Sequence, residues 1–357
     1  MDALKGQLVR RIRSIGPMPL SEYMAACLTH PEHGYYTGRD PLGARGDFTT
    51  APEISQMFGE LLGLSLAQAW IEAGAPAAVT LAEAGPGRGT LMADILRATR
   101  GVPGFHAAVT ILLIEVSPTL RAVQAKALSD YDVTCAEGIE ALPERPLYLV
   151  ANEYFDALPI RQFRREKTGW SERMVGLGPQ GELAFGWSPA APVGLLVPRE
   201  ADTEQGDIVE VNLQGEADAE RIGRHIAAHG GAALIVDYGD DRSLGDTFQA
   251  VRAHGFADPL DAPGAADLTA HVDFGALARA AMSAGAAVSA ITPQGVFLER
   301  LGITERARAI ARGLGGPALD AHIAAHRRLT HPQEMGHLFK AMSIHSTTGA
   351  PPPGLET

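Results

Sequence analysis

The stretch from Val79 to Met92 constrains this chain more than any other. Val79-Thr80-Leu81-Ala82-Glu83-Ala84 is a β-like apolar run, and it stops at Gly85-Pro86-Gly87-Arg88-Gly89. Leu91, Met92, Ile95 and Leu96 then share one helical face. Strand, tight glycine turn and helix is how an α/β fold lays backbone against a nucleotide-like ligand, because glycine takes positive φ and has no Cβ to block the approach. The third glycine comes one residue earlier than in the dinucleotide fingerprint, and an acid, Glu83, precedes the first. The plain alternative is an ordinary strand–helix corner.

The flanking pattern extends the strand–helix alternation. Val109 to Ile114 reads as a buried strand, Ser117 as a helix N-cap and Pro118 as the first helical residue. A short strand at 133–135 and another at 147–151 follow, then the parallel pattern resumes at 232–239. Such alternation predicts a doubly wound, mainly parallel sheet. Between 161 and 187 the alternation is that of antiparallel strands. The expected organisation is a helical cap with a lid loop over 1–76, an α/β core over 77–160 and 230–345, a β-rich insertion over 161–229, and a disordered Pro/Gly-rich tail over 346–357. Trp170, Phe185 and Trp187 of the insertion read either as a homodimer interface or as packing inside the monomer.

Composition narrows the function classes. Hydrophobic residues make up 46% of 357, enough for a large core. A net charge of −12 without a basic cluster argues against nucleic acid as a partner. Cys27 and Cys135 are far apart, with no zinc or disulfide framework. The basic N-terminus lacks the apolar core of a signal peptide, and no run approaches a membrane span. These readings point to the cytoplasm. His322 and His326 have helical spacing, with His331 and His337 beyond, but no metal motif accompanies them, and no metal is expected.

The polar residues recur at strand ends, where parallel α/β sheets bind ligands. The acid-x-Gly-x-Gly-x-Gly form of Glu83, Gly85, Gly87 and Gly89 is that of the first motif of S-adenosylmethionine (SAM) methyltransferases. Glu115, closing the second strand, is placed to accept from ribose hydroxyls; its alternative is to cap the helix from Ser117. Ala136 and Glu137 follow the third strand at the adenine edge, or form a solvated turn. Asn152, Glu153 and Asp156 follow the fourth, where a nucleophile would meet a methyl group, and the two carboxylates suit a guanidinium. His271 and Asp273 form a further polar cluster, with Asp273 alternatively a helix N-cap.

The chain resembles the MidA-like SAM-dependent methyltransferases. The resemblance rests on Pro19 to Met24, His30 to Tyr36, Gly46-Asp47-Phe48-Thr49-Thr50-Ala51-Pro52-Glu53, Gly85 to Met92, Glu115-Val116-Ser117-Pro118, Ala151 to Pro159, Asp237-Tyr238-Gly239, Asp267 to Phe274 and Gln294-Gly295. It implies a class I methyltransferase fold, SAM as cofactor and a protein substrate, which in mitochondrial members is an arginine on a core subunit of respiratory complex I. It places Asp47 and Thr50 over the cofactor and Phe48, His271 and Asp273 towards the substrate. Ala84 stands where relatives often carry a larger residue. Two other readings stay open: a non-catalytic SAM-binding assembly factor, and an NAD-dependent oxidoreductase, which the glycine spacing disfavours.

Overall fold

The computed structural model describes residues 2–38 and 49–356. They form two compact units, one of residues 49–155, 216–241 and 274–356, the other of residues 2–38, 156–215 and 242–273.

In the first unit Val79–Ala84 is buried throughout and lies between two parallel neighbours, Val109–Ile114 and Leu147–Asn152. Val133–Ala136 extends the parallel row on one side and Gly231–Asp240 on the other. Near-continuous apolar strands of this kind require cover on both faces, and parallel pairing with crossover helices supplies it. The helix Gln56–Glu72 provides part of that cover: Phe58, Leu62 and Leu66 share a core with Leu81, Leu91, Ile95 and Val150. Its Gly63 permits close approach to the helix Thr90–Thr99, since a Cβ there would stand 2.9 Å from Ile95 Cα. Residues 49–76, expected in a cap, therefore belong with the α/β core.

Phe339–His345 pairs antiparallel with Gly231–Asp240, takes Ala287–Val288 and Thr292–Pro293 on its other side, and is buried along its length. The sequence reading missed it because Lys340 and His345 interrupt the apolar pattern. The Lys340 ammonium donates to the carbonyls of Gly239, His337 and Leu338 at 3.0, 2.8 and 3.3 Å, which offsets its desolvation. The tail expected to be disordered is also packed. Leu355 is buried in the main core, Ser65 Oγ donates to Pro353 O at 2.8 Å, and Ala290 N to Glu356 O at 2.7 Å. Proline lacks the N–H that an extended segment would otherwise have to satisfy, and Leu355 anchors the end.

In the second unit Trp170–Leu177 pairs antiparallel with Arg161–Arg165, Leu183–Trp187 and Met18–Pro19. Ile208–Val211 adds to Arg161–Arg165. The helices Asp2–Ile15 and Leu20–Thr29 bury Leu4, Leu8, Tyr23 and Met24 with Val175, Leu183 and Leu268. The expected insertion thus shares one core with N-terminal helices and with residues beyond 242. Trp170 is buried with Phe163, Leu196 and Val209.

Candidate functional site

The site of the α/β unit begins where Val79–Ala84 ends. Gly85, Gly87 and Gly89 have φ of +66°, +52° and +83°, which any other residue resists. The Gly85 N–H donates to Ile114 O at 3.1 Å, and Gly89 N to Pro86 O at 2.7 Å, so the turn is tied to the sheet and closed on itself. A Cβ on Gly85 would stand 3.1 Å from the Tyr154 ring, whose hydroxyl donates to Asp218 at 2.9 Å.

Glu83 lies just before this turn and is wholly buried. Its Oε2 has no hydrogen-bond partner. Burial pushes its carboxyl up to about 8; the Met92 N–H opposes the rise and the nearby charge of Glu115 adds to it. An orphaned acceptor in such a place is costly unless it serves a ligand.

Glu115 follows Val109–Ile114. Its Oε1 accepts from Ser117 N at 2.8 Å, the cap of the alternative reading, and its Oε2 from Gln124 Nε2 at 3.1 Å. Each oxygen keeps a second lone pair for a further donor. Burial raises its pKa, against the pull of those two donors. Ser117 itself caps the helix Pro118–Ala127, accepting from Leu120 N at 3.3 Å.

At the end of Leu147–Asn152, Glu153 is one of the few non-glycine residues at positive φ, +51°. Strained backbone of this kind concentrates at functional sites. Its Oε1 accepts from Ala51 N at 3.0 Å and from Asn152 Nδ2 at 3.1 Å, while Asn152 Oδ1 is buried without a partner. Thr50 opens the short helix Ala51–Ile54, and Glu53 Oε1 accepts from Thr90 Oγ1 at the start of the helix Thr90–Thr99. The turn, Glu83, Glu115, Asn152, Glu153 and Thr50 therefore gather within one unit. Ala136 O accepts from Glu115 N at 2.9 Å. Glu137 is exposed and paired with Arg121 at 3.5 Å, which favours its solvated-turn reading.

Asp156, His271 and Asp273 belong to the other unit. Asp156 O accepts from Ala270 N at 3.1 Å, His271 N donates to Thr247 Oγ1 at 2.8 Å, and Asp273 Oδ2 accepts from Ser243 N at 3.0 Å. The last contact uses Asp273 to hold a loop. In the same unit Tyr36 donates to Asp267 at 2.7 Å. Asp47 and Phe48 lie outside the described residues. His322 and His326 contact Ala307 O and Thr304 Oγ1, each at 3.0 Å, and among the described residues no three His, Cys, Asp or Glu gather to hold a metal.

Sequence reading overlooked three residues here. Gln124 bonds both Gly87 O and Glu115; its signal is a glutamine inside the stripe Leu120, Gln124, Leu128, all buried. Glu53 stands in a motif already noted. Asp237, fully buried, accepts from Phe155 N at 3.1 Å and so holds the strand-end loop.

The family model that matches residues 61–292 is described as "Putative S-adenosyl-L-methionine-dependent methyltransferase". A zebrafish (Danio rerio) relative named protein arginine methyltransferase NDUFAF7, mitochondrial, is 39% identical, covering 95% of this chain and 86% of its own length. The human (Homo sapiens) protein of that name is 35% identical over 94% and 82%. A crystal structure from Burkholderia thailandensis, bound to S-adenosyl-homocysteine, matches with a TM-score of 0.85 at 30% identity, covering 99% of this chain and 94% of that one. The cytoplasmic expectation is corrected by these relatives, whose names place them in mitochondria. No helix among the described residues is long and apolar enough to cross a membrane.

The residues fit the cofactor. A buried orphan carboxylate suits its ammonium, a strand-end carboxylate with spare lone pairs its ribose diol, and a turn without side chains its close approach. By sequence, fold and the chemistry of these groups, the chain belongs to the S-adenosyl-L-methionine-dependent methyltransferases.

Proposed function

We propose that this protein methylates an arginine side chain of a protein substrate, and that the substrate is a subunit of respiratory complex I. The names of its relatives support the arginine, and the motif resemblance supports the complex I subunit. The mitochondrial setting of those relatives accompanies this reading.

The cofactor, when bound, supplies an electrophilic methyl on sulfur. The chain's own residues then align and hold. Gly85, Gly87 and Gly89 let backbone approach the cofactor, Glu83 accepts its ammonium, and Glu115 its ribose hydroxyls, with Ala136 at the adenine edge and Thr50 in the covering segment. Asn152 and Glu153 order the strand end that faces the methyl. The strand-end motif gives Asp156 a catalytic role, and the resemblance assigns Phe48, His271 and Asp273 to the substrate. Methyl transfer is a direct displacement, so alignment and desolvation carry much of the rate.

The observation that carries this reading is the buried, unpartnered Glu83 oxygen beside the three-glycine turn. The test is mass spectrometry of complex I subunits incubated with SAM and the protein. The expected result is one or more added methyl groups on a single arginine, formed more slowly at limiting SAM with Glu115→Ala. A protein that binds SAM yet leaves every subunit unmodified would favour the non-catalytic assembly factor instead.

A further inference from the structure

Gln124 is the one polar member of a buried helical stripe, flanked one turn away by Leu120 and Leu128. Burying a carboxamide is costly unless its polar atoms are used. Its amide nitrogen spends both hydrogens, one on Gly87 O at 2.7 Å and one on Glu115 Oε2 at 3.1 Å. Only the nitrogen can face two acceptors, so the orientation of the amide is fixed by its partners. The Oε1 atom is buried with no partner. The same residue backs the third glycine: a Cβ on Gly89 would lie 3.6 Å from Gln124 Cα and Cγ.

One side chain thus ties the middle of the glycine turn to the carboxylate at the neighbouring strand end. We propose that Gln124 is a positioning residue for cofactor binding, registering the turn against Glu115. By occupying Gly87 O it keeps that carbonyl engaged within the protein. By donating to Glu115 Oε2 it fixes the carboxylate plane together with the Ser117 N–H, leaving the remaining lone pairs for a diol. Burial raises the Glu115 pKa and the Gln124 donor opposes the rise, which helps keep an anionic acceptor in place.

The inference rests on Glu115 as the ribose-binding acid, and its test separates the two. S-adenosyl-homocysteine is titrated calorimetrically into the full chain as wild type, Gln124→Met, Gln124→Glu, Glu115→Gln and the double variant Gln124→Met with Glu115→Gln. Melting without ligand is recorded for each. Gln124→Met is expected to weaken binding roughly tenfold, one charged hydrogen bond's worth. Gln124→Glu should lose more, because it sets a carboxylate against Gly87 O and Glu115. The double variant should lose clearly less than the product of the two single losses, since Gln124 acts partly through Glu115. Single losses that multiply, or Gln124→Met binding within twofold of wild type while Glu115→Gln is weakened, would overturn the positioning role alone. Undiminished binding by Glu115→Gln would overturn the ribose reading and this inference with it. A variant that melts lower without ligand yet keeps its affinity would show a merely structural glutamine. Should Gln124→Met not fold, Gln124→Glu and its cycle with Glu115→Gln carry the same decision.

Discussion

Glu83 sets up a conflict between stability and binding that one substitution exposes. Its carboxyl is buried, has one orphaned oxygen, and is pushed from 4.5 to about 8. Below about pH 4.5 it is protonated in both the folded and the unfolded chain and contributes no pH dependence. As pH rises from there to about 8, the unfolded chain releases this proton and the folded chain retains it. The folded state then binds more protons, so stability falls with pH across that window and levels off above it. At about 1.4 kcal/mol per pH unit, the loss over that whole window is on the order of 5 kcal/mol. Glu83→Gln keeps an oxygen for the Met92 N–H and cannot ionise. We expect urea unfolding from pH 5 to 9 to give two curves that nearly coincide at pH 5. At pH 9 the variant should be more stable by about 2–4 kcal/mol. The other carboxylates are common to both proteins, so the difference isolates position 83, apart from its coupling to Glu115. At pH 8 the same variant should bind SAM more weakly, having lost the anion that faces the ammonium. A difference curve flat in pH, or a variant less stable at pH 9, would refute the argument that this acid is held against its own solvation.

Other consequences follow from single contacts. Gly85→Ala forces a Cβ into positive φ, 3.1 Å from Tyr154; it should cost about 1–2 kcal/mol in denaturant melts and weaken cofactor binding in the same preparation. Glu115→Ala should weaken SAM binding roughly tenfold or more by calorimetry. Leu355→Ala should cost about 2–4 kcal/mol in chemical denaturation if the tail is part of the core, and nothing measurable if it is not.

Strands and turn were legible because their signals are local. An apolar run, three glycines and a Ser-Pro helix start each fix backbone within a few residues. The strand Phe339–His345 was hidden because its pairing with Gly231–Asp240 spans about a hundred positions and its Lys340 is satisfied only by carbonyls the fold brings near. The packed tail was hidden for the same reason, since prolines look irregular until Leu355 is seen against the core. At the site, Glu83 and Glu115 could be placed from strand ends alone. What could not be read was that Glu153 accepts from Ala51 N, that Asp237 holds Phe155 N, or that Gln124 reaches two elements at once. Those contacts depend on loops meeting across the sheet, and periodicity carries no information about them.

We propose that the α/β unit takes SAM against its glycine turn with Glu83 and Glu115 as the gripping acids. A calorimetric titration of SAM into the full chain at pH 8 tests it most directly. One site of micromolar affinity is expected, weakened at least tenfold by Glu83→Gln and by Glu115→Ala. Binding no tighter than about millimolar, or equal affinity in all three proteins, would contradict it.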